Sequence, residues 1–172
     1  MMPSPIRIAV FDDNPQFRDC VIHVLKRVDG FEIVGEGASA TDALGVVQKC
    51  GPDIILLDLR LPGGGTKAAA RIARHYPSVR TVVLTASECE HDVASALQAG
   101  ARGYVLKGGS ESHLIDAVYA VVRGNFYFTP NFAERLLIER SKRVEDRPRQ
   151  SLATSLFTTR DSLSLCRDEC LN

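Results

Sequence analysis

Short apolar runs recur along the first two thirds of the chain and alternate with stretches of helical periodicity. Each run is four to six residues long and rich in Val, Ile or Leu. The five runs are residues 6–11, 31–35, 54–57, 81–84 and 103–106. The helical stretches that follow them are residues 15–28, 40–49, 67–75, 93–99 and 111–122. Strands that alternate with helices are typical of βαβ units, so the pattern predicts a parallel sheet with helices on both faces.

The order of these elements predicts the fold. Five βα units over about 120 residues suit an α/β protein of the flavodoxin-like, doubly wound (βα)5 type, with a five-stranded parallel sheet in the order 2-1-3-4-5. Residues 54–57 are apolar at consecutive positions, which indicates a central strand buried on both sides. Asn14 and Pro15 suit the start of the first helix, and Ser39 and Ser110 can cap the second and fifth helices.

Beyond residue 124 the alternation stops. Residues 125–130 indicate a turn and a short extended piece, and a helical stretch follows. Residues 145–151 are charged, contain proline and are poor in apolar residues, as linkers are. The predicted divisions are a first domain at residues 1–128, a helical and charged linker at 129–151 and a C-terminal segment at 152–172.

Composition excludes several classes of protein. Lys plus Arg and Asp plus Glu number 21 each, so no overall charge draws the chain to nucleic acid or membranes, and any DNA binding must come from a local surface. No apolar run approaches the ~20 residues of a membrane span, and the N-terminus lacks the pattern of a signal peptide. Five scattered cysteines favour reduced thiols. We therefore expect a cytoplasmic protein with no membrane contact.

Polar side chains follow the ends of four predicted strands. Asp12 and Asp13 follow the first strand, Asp58 the third, Thr85 the fourth and Lys107 the fifth. In an open α/β sheet the functional site forms at the carboxyl ends of the strands, next to the point where the strand order reverses. The sequence thus predicts that three carboxylates, a hydroxyl and an ammonium converge at one edge of the sheet.

The chemistry of such a cluster is restricted. Neighbouring carboxylates repel one another and need a cation, and an all-oxygen set of ligands favours Mg²⁺. A carboxylate beside Mg²⁺ can act as a nucleophile and form an aspartyl phosphate, whose oxygens a lysine and a hydroxyl then stabilise. The sequence therefore predicts that an aspartate of this cluster accepts a phosphoryl group, with Mg²⁺ as cofactor and Lys107 and Thr85 in support.

Taken one at a time, these residues have simpler interpretations. Asp12 and Asp13 could serve only the start of a helix, because acidic residues are favourable there. Asp58 could simply begin a loop, Lys107 could lie in a solvated turn, and Thr85 could be an ordinary β-branched strand residue. Their common placement at strand ends favours the functional interpretation.

Four stretches of the sequence carry a resemblance to a known family. They are residues 8–14 (IAVFDDN), 52–63 (PDIILLDLRLPG), 82–87 (VVLTAS) and 99–108 (AGARGYVLKG). Over roughly residues 6–128 the chain resembles the response-regulator receiver family, and more closely the NarL/LuxR-type transcriptional regulators.

The resemblance implies a role for each matching residue at the predicted site. Asp58 resembles the phosphoacceptor, and Asp13 and Asp58 resemble the carboxylates that bind Mg²⁺ directly. Asp12 would act on the metal through water, Arg60 would offer its backbone carbonyl, and Lys107 would contact the phosphoryl group.

The resemblance also implies a conformational switch. Thr85 looks like the switch hydroxyl and Tyr104 like the aromatic residue that changes rotamer with it, although Tyr104 by its position could simply be half-buried sheet packing. Two features depart from the common pattern. Gly108 follows Lys107 where many receivers have proline, and residues 63–66 (GGGT) replace the commoner Gly-x-Asp-Gly, which predicts a looser start to the third helix.

The function implied is a signalling switch rather than an enzyme. A sensor histidine kinase would phosphorylate Asp58, and the switch would control transcription through a DNA-binding output, with a homodimer as one assembly. The alternatives are a stand-alone receiver or interaction module and, with less support, a Mg²⁺-dependent phosphohydrolase. Such hydrolases usually carry an acid two residues after the nucleophile, where this chain has Arg60, which cannot act as a general acid.

The C-terminal segment resembles the opening of a LuxR-type helix-turn-helix domain over residues 157–166 (FTTRDSLSLC). In that family three further helices follow, including the one that enters the major groove. About 20 residues cannot form a core of their own. We therefore expect residues 152–172 to be a partial helix-turn-helix, with DNA as a partner only where a full output domain is present; an amphipathic tail without function is the alternative.

Overall fold

The computed structural model describes residues 4–87 and 89–130 of the 172-residue chain. The predicted linker helix, the charged linker and the partial helix-turn-helix lie outside these residues, apart from positions 129 and 130. The domain divisions therefore stay predictions.

Strands and helices alternate through the described residues. In chain order they are β1 (Ile6–Phe11), α1 (Pro15–Lys26), β2 (Phe31–Gly37), α2 (Ala40–Cys50), β3 (Ile54–Asp58), α3 (Gly65–His75), β4 (Arg80–Thr85), α4 (Glu90–Gln98), β5 (Gly103–Leu106), α5 (Glu111–Val122) and β6 (Tyr127–Phe128). Neighbouring strands pair in parallel in the order β2-β1-β3-β4-β5-β6. The predicted α/β, flavodoxin-like fold and its strand order are confirmed.

The sheet has a sixth strand where the sequence predicted five. Residues 125–130, expected to be only a short extended piece, add β6 beside β5, with Phe128 opposite Tyr104. Thr129 extends the pairing: its N–H donates to the Tyr104 carbonyl at 3.1 Å, and its hydroxyl accepts from the Leu106 N–H at 3.2 Å. The added strand satisfies backbone groups that β5 would otherwise leave free as an edge strand.

The core lies on both faces of the central strand β3, all of whose residues are buried. Alternate side chains of a strand point to opposite faces. Ile54 and Leu56 join the cluster formed with α1 and α5, whereas Ile55 and Leu57 join the cluster formed with α2 and α3. The prediction of a central strand buried on both sides is confirmed.

Three helices begin as the sequence predicted. The side chain of Asn14 accepts from the N–H groups of Gln16 and Phe17, and the hydroxyls of Ser39 and Ser110 cap α2 and α5 in the same way. These bonds satisfy N–H groups that have no partner within the helix. None of the helices in the described part of the chain has the length and apolar character that crossing a bilayer requires.

Helix α3 begins differently, in the glycine stretch. Gly63 and Gly64 have φ of 88° and 91°, and α3 starts without a side-chain cap. A Cβ on the next residue, Gly65, would overlap the carbonyl oxygen of Asp58. The third glycine thus lets the start of α3 lie directly against the end of β3, the strand that carries Asp58.

Candidate functional site

The residues predicted from the strand ends do converge at the carboxyl edge of the sheet. Asp12 and Asp13 follow β1, Asp58 is the last residue of β3, Thr85 ends β4 and Lys107 follows β5. One carboxylate oxygen from each of the three aspartates lies within 4.8 Å of the others. The topology therefore assembles the cluster that the sequence predicted.

Lys107 links the two buried carboxylates of the cluster. Its Nζ lies 2.7 Å from Asp58 Oδ2 and 2.6 Å from Asp12 Oδ2. Asp12 is 0% exposed and Asp58 4%, whereas Asp13 is exposed. One ammonium against three carboxylates leaves an excess of acidic groups, and this excess is open to solvent on the side of Asp13.

The surroundings of Lys107 favour its charged form. Burial, the largest influence, lowers the pKa of its ammonium, but the hydrogen bonds and charges of Asp12 and Asp58 together outweigh it and raise the pKa above the ordinary value for lysine. The two carboxylates thus favour the ammonium form of Lys107 at this edge of the sheet.

Backbone groups fix the direction of both buried carboxylates. The N–H of Asn14 donates to Asp12 Oδ1, and the N–H of Arg60 donates to Asp58 Oδ1, each at 3.0 Å. The two oxygens of Asp58 thus have different partners, since Oδ1 faces a backbone N–H and Oδ2 faces Lys107. The predicted contribution of the Arg60 carbonyl to a metal stays a prediction.

Thr85 and Tyr104 both form hydrogen bonds with the backbone of Ser87. The Thr85 hydroxyl accepts from the Ser87 N–H at 3.0 Å, and the Tyr104 hydroxyl donates to the Ser87 carbonyl at 2.9 Å. Both side chains are 1% exposed. Burial raises the pKa of Tyr104 to about 12, with an opposing influence from a hydrogen bond to Thr85.

This burial also bears on the simpler interpretation of Tyr104. Its ring packs with Val83, Val93, Ala96 and Ala101, so it is a core residue of the β4–α4–β5 layer, and more deeply buried than the half-buried position expected. Its polar end nevertheless reaches the loop that follows Thr85. Packing and connection to the site are therefore both present, and the change of rotamer stays a prediction.

Two residues of the site were not assigned to it from the sequence. Arg18 donates from Nη1 to the carbonyl of Asp12 at 2.7 Å and forms an ion pair with Glu36 at 3.1 Å. The ring centroid of Phe17 lies 4.8 Å from Lys107 Nζ. The spacing of Phe17 from Val21 and Val24 is that of one apolar helix face, which indicates packing alone. No signal in the sequence connects Arg18 to a backbone carbonyl.

The donor set fits a hard divalent cation. Asp12, Asp13 and Asp58 offer only oxygen atoms, close enough together to share one ion, with one carboxylate exposed. Oxygen ligands and an open side are what Mg²⁺ uses in proteins, because it keeps several waters and exchanges them for phosphate oxygens.

Comparison with known proteins agrees with this geometry. The family model described as the response regulator receiver domain matches residues 8–119. Response regulator GacA of Pseudomonas viridiflava is 32% identical over 135 residues, which cover 78% of this chain and 63% of that protein. The transcriptional regulatory protein DegU of Brevibacillus brevis is 33% identical over 149 residues, which cover 86% of this chain and 63% of DegU. This chain thus spans less than two thirds of either relative.

A solved structure gives the same answer. The crystal structure of a LuxR-family two-component response regulator from Aurantimonas sp. SI85-9A1 is 32% identical and superposes with a TM-score of 0.76 over 80% of this chain and 99% of that one. The fold, the convergent strand-end residues and the family match point the same way: this chain belongs to the response regulator receiver domain family and is related to the LuxR/NarL-type regulators.

Proposed function

We propose that this domain is the phosphoryl-accepting switch of a two-component system, with Asp58 as the acceptor and a sensor histidine kinase as the donor. The observation that carries the proposal is the double contact of Lys107 with Asp58 and Asp12 at the end of β3. It sets a cation beside a nucleophilic carboxylate at the place where phosphoryl oxygens would arrive.

The reaction uses Asp58 as a carboxylate. One of its oxygens attacks the phosphorus of a phosphohistidine, an O–P bond forms as the P–N bond breaks, and the imidazole leaves with a proton from solvent. The carboxylate has no proton to lose, so no general base is needed. The negative charge of the phosphoryl oxygens has Lys107 and, from the end of β4, the Thr85 hydroxyl as partners.

The metal that suits this site is Mg²⁺. Asp13 and Asp58 would bind it directly, Asp12 through water, and Arg60 through its backbone carbonyl. When bound, Mg²⁺ neutralises part of the charge on the phosphoryl oxygens and on the three carboxylates.

The conformational signal would leave the site through Ser87. A shift of Thr85 toward a phosphoryl group changes the position of the loop after β4, and the Tyr104 hydroxyl is bonded to the Ser87 carbonyl in that loop. Tyr104 in turn packs on Val93 and Ala96 of α4. The face formed by α4, β5 and α5 is thus the surface that phosphorylation would change.

In the cell, the proposed output is control of transcription through a LuxR-type DNA-binding domain. The naming of DegU as a transcriptional regulatory protein and of the Aurantimonas protein as LuxR family supports this proposal. DNA and a second copy of the chain would be partners of the full-length regulator rather than of the receiver alone.

The test is phosphorylation by acetyl phosphate with Mg²⁺, followed by intact-protein mass spectrometry and a phosphate-affinity gel. We expect labelling of the wild-type protein and none of Asp58→Asn. A matched control is Asp116→Asn, which changes an exposed carboxylate on α5 and should label as the wild type does. Undiminished labelling of Asp58→Asn would contradict the proposal, and loss of labelling on chelation of the metal is expected.

A further inference from the structure

The ammonium of Lys107 has an aromatic neighbour besides its two carboxylates. Its Nζ lies 4.8 Å from the centroid of the Phe17 ring. A cation within about 6 Å of a ring face is attracted by the negative potential of that face. The ammonium of Lys107 therefore has three neighbours that attract it, namely Asp12, Asp58 and Phe17.

The first turn of α1 fixes the ring in this place. Phe17 is the third residue of the helix, and its N–H donates to the capping oxygen of Asn14 at 3.2 Å. Pro15 sets the backbone of the first helical residue. The same short segment thus carries the carboxylates of Asp12 and Asp13 and, one turn later, the ring that faces Lys107.

The space around Lys107 explains why a ring would matter there. An apolar pocket of about 80 Å³ lies between α1, β5 and α5, and Phe17, Cys20, Leu106 and Leu114 are among the residues that line it together with Lys107. The side chain of Lys107 is 18% exposed, so water reaches it only in part. Without the ring, the flexible lysine would gain both room and water, and its ammonium would be less confined to the carboxylate pair.

We propose that Phe17 is a positioning residue for phosphoryl transfer, whose ring face holds the Lys107 ammonium beside Asp58. This inference rests on the proposed function. Phe17 also packs against the cluster of β1, α1 and α5, so a purely structural role is the competing explanation. The two differ in one respect: core packing needs only apolar volume, whereas holding an ammonium needs the π face.

The experiment compares Phe17→Leu, which keeps apolar volume, with Phe17→Tyr, which keeps the ring. At saturating acetyl phosphate and Mg²⁺ we expect the labelling rate of Phe17→Leu to fall about three- to tenfold, and that of Phe17→Tyr to stay within about twofold of wild type. Phe17→Met serves as a second ring-free variant if Phe17→Leu does not fold. Equal rates for the leucine and tyrosine variants, whether both normal or both impaired, would overturn the proposal.

Phe126→Leu is a matched control. Phe126 also carries a cation on its ring, since the Arg102 guanidinium carbon lies 5.1 Å from the ring centroid, but it lies outside the site. Its leucine variant should label at the wild-type rate. A comparable loss of rate in this control would assign the Phe17 effect to general destabilisation.

A double-mutant cycle in urea, with a metal chelator present, tests the contact itself. Phe17→Leu should destabilise the wild-type protein more than it destabilises Lys107→Ala, because the second background lacks the cation. Equal effects in the two backgrounds would overturn the proposal. Failure of the proposed function looks different, since it would appear as no labelling of the wild-type protein at Asp58.

Discussion

The acidic edge, formed by Asp12, Asp13, Asp58 and Lys107, is held mainly by charged side chains, whereas the outer edge, formed by β5 and residues 125–130, is held mainly by backbone hydrogen bonds. At the acidic edge, residues distant in sequence meet because their strands end together. At the outer edge, a segment with two paired residues, Tyr127 and Phe128, joins the sheet through its backbone, and one buried hydroxyl, that of Thr129, extends the pairing. The residue types in the sequence therefore indicate the acidic cluster, whereas the pairing of β6 with β5 depends on which segment packs beside β5 in the folded protein.

The two edges are joined by Tyr104. Its backbone carbonyl accepts from the Thr129 N–H at the outer edge, and its side chain reaches Ser87, which is bonded to Thr85 at the end of β4. A change at the acidic edge that moves Tyr104 would therefore have a direct contact through which to reach residues after α5.

The largest change in stability is expected from removing the cation of the acidic edge. Lys107→Ala leaves the buried carboxylates of Asp12 and Asp58 without their ammonium, and an uncompensated buried charge costs about 3 kcal/mol of the free energy of unfolding. Urea unfolding with a metal chelator present measures the loss. Lys107→Arg keeps the positive charge and should lose much less. An unchanged unfolding midpoint for Lys107→Ala would show that the stability of the folded protein does not depend on the ion pairs of Lys107.

A smaller change is expected at the outer edge from Thr129→Val. Thr129 is 4% exposed, and its hydroxyl is the acceptor for the Leu106 N–H, so the variant leaves a buried donor without that partner at a cost of about 1 to 2 kcal/mol. Thr129→Ser retains the hydroxyl and should recover most of the stability. Labelling of Asp58 should be unaffected in both variants. Loss of Asp58 labelling in Thr129→Val would show that phosphoryl transfer at the acidic edge depends on the pairing at the outer edge.

The smallest change is expected from Tyr104→Phe, which removes the hydroxyl that donates to the Ser87 carbonyl and should cost about 1 kcal/mol near neutral pH. The pH dependence of the stability of the wild-type protein, which keeps the phenol, is more informative. The pKa of Tyr104 is raised to about 12 in the folded protein, above its ordinary value near 10, so the folded state binds this proton more tightly than the unfolded state does. The stabilisation that the folded state gains from the protonated Tyr104 phenol is fully present below pH 10 and is lost as the pH rises toward 12.

The direction of the Tyr104 pKa shift can be tested by measuring stability at high pH. Between about pH 10 and pH 12 the wild-type protein should lose more stability than Tyr104→Phe, which has no phenol to ionise. Chemical unfolding of both proteins across that range gives the difference. If the difference in unfolding free energy between the two proteins did not change between pH 10 and pH 12, the raised pKa of Tyr104 would be contradicted.

The predicted boundaries of the β1–α5 elements agree with the structure to within three residues. The apolar runs were informative because strands buried on both faces need apolar residues at consecutive positions, as Ile54 to Leu57 show. The polar residues at the strand ends were informative for a related reason. In a parallel sheet the carboxyl ends of all strands lie along the same edge, so the residues that follow neighbouring central strands lie close together.

Other features could not be read in this way. Phe17 has the periodicity of a core residue, and only the position of α1 relative to β5 puts its ring on Lys107. Arg18 bonds a backbone carbonyl, and a carbonyl has no signature in a sequence. The glycines at 63 to 65 predicted a looser start to α3, but only the approach of α3 to β3 shows that the third of them lies against the Asp58 carbonyl.

The sequence by itself determined the parallel α/β fold and the acidic edge, because both follow from local patterns: the period of the apolar residues and the charge of those that end the strands. The tertiary structure decided β6, the ring on Lys107 and the convergence of Thr85 and Tyr104 on Ser87. These depend on which groups become neighbours when helices pack on the sheet. Neighbours in space are set by packing and backbone pairing, which no single stretch of the chain encodes.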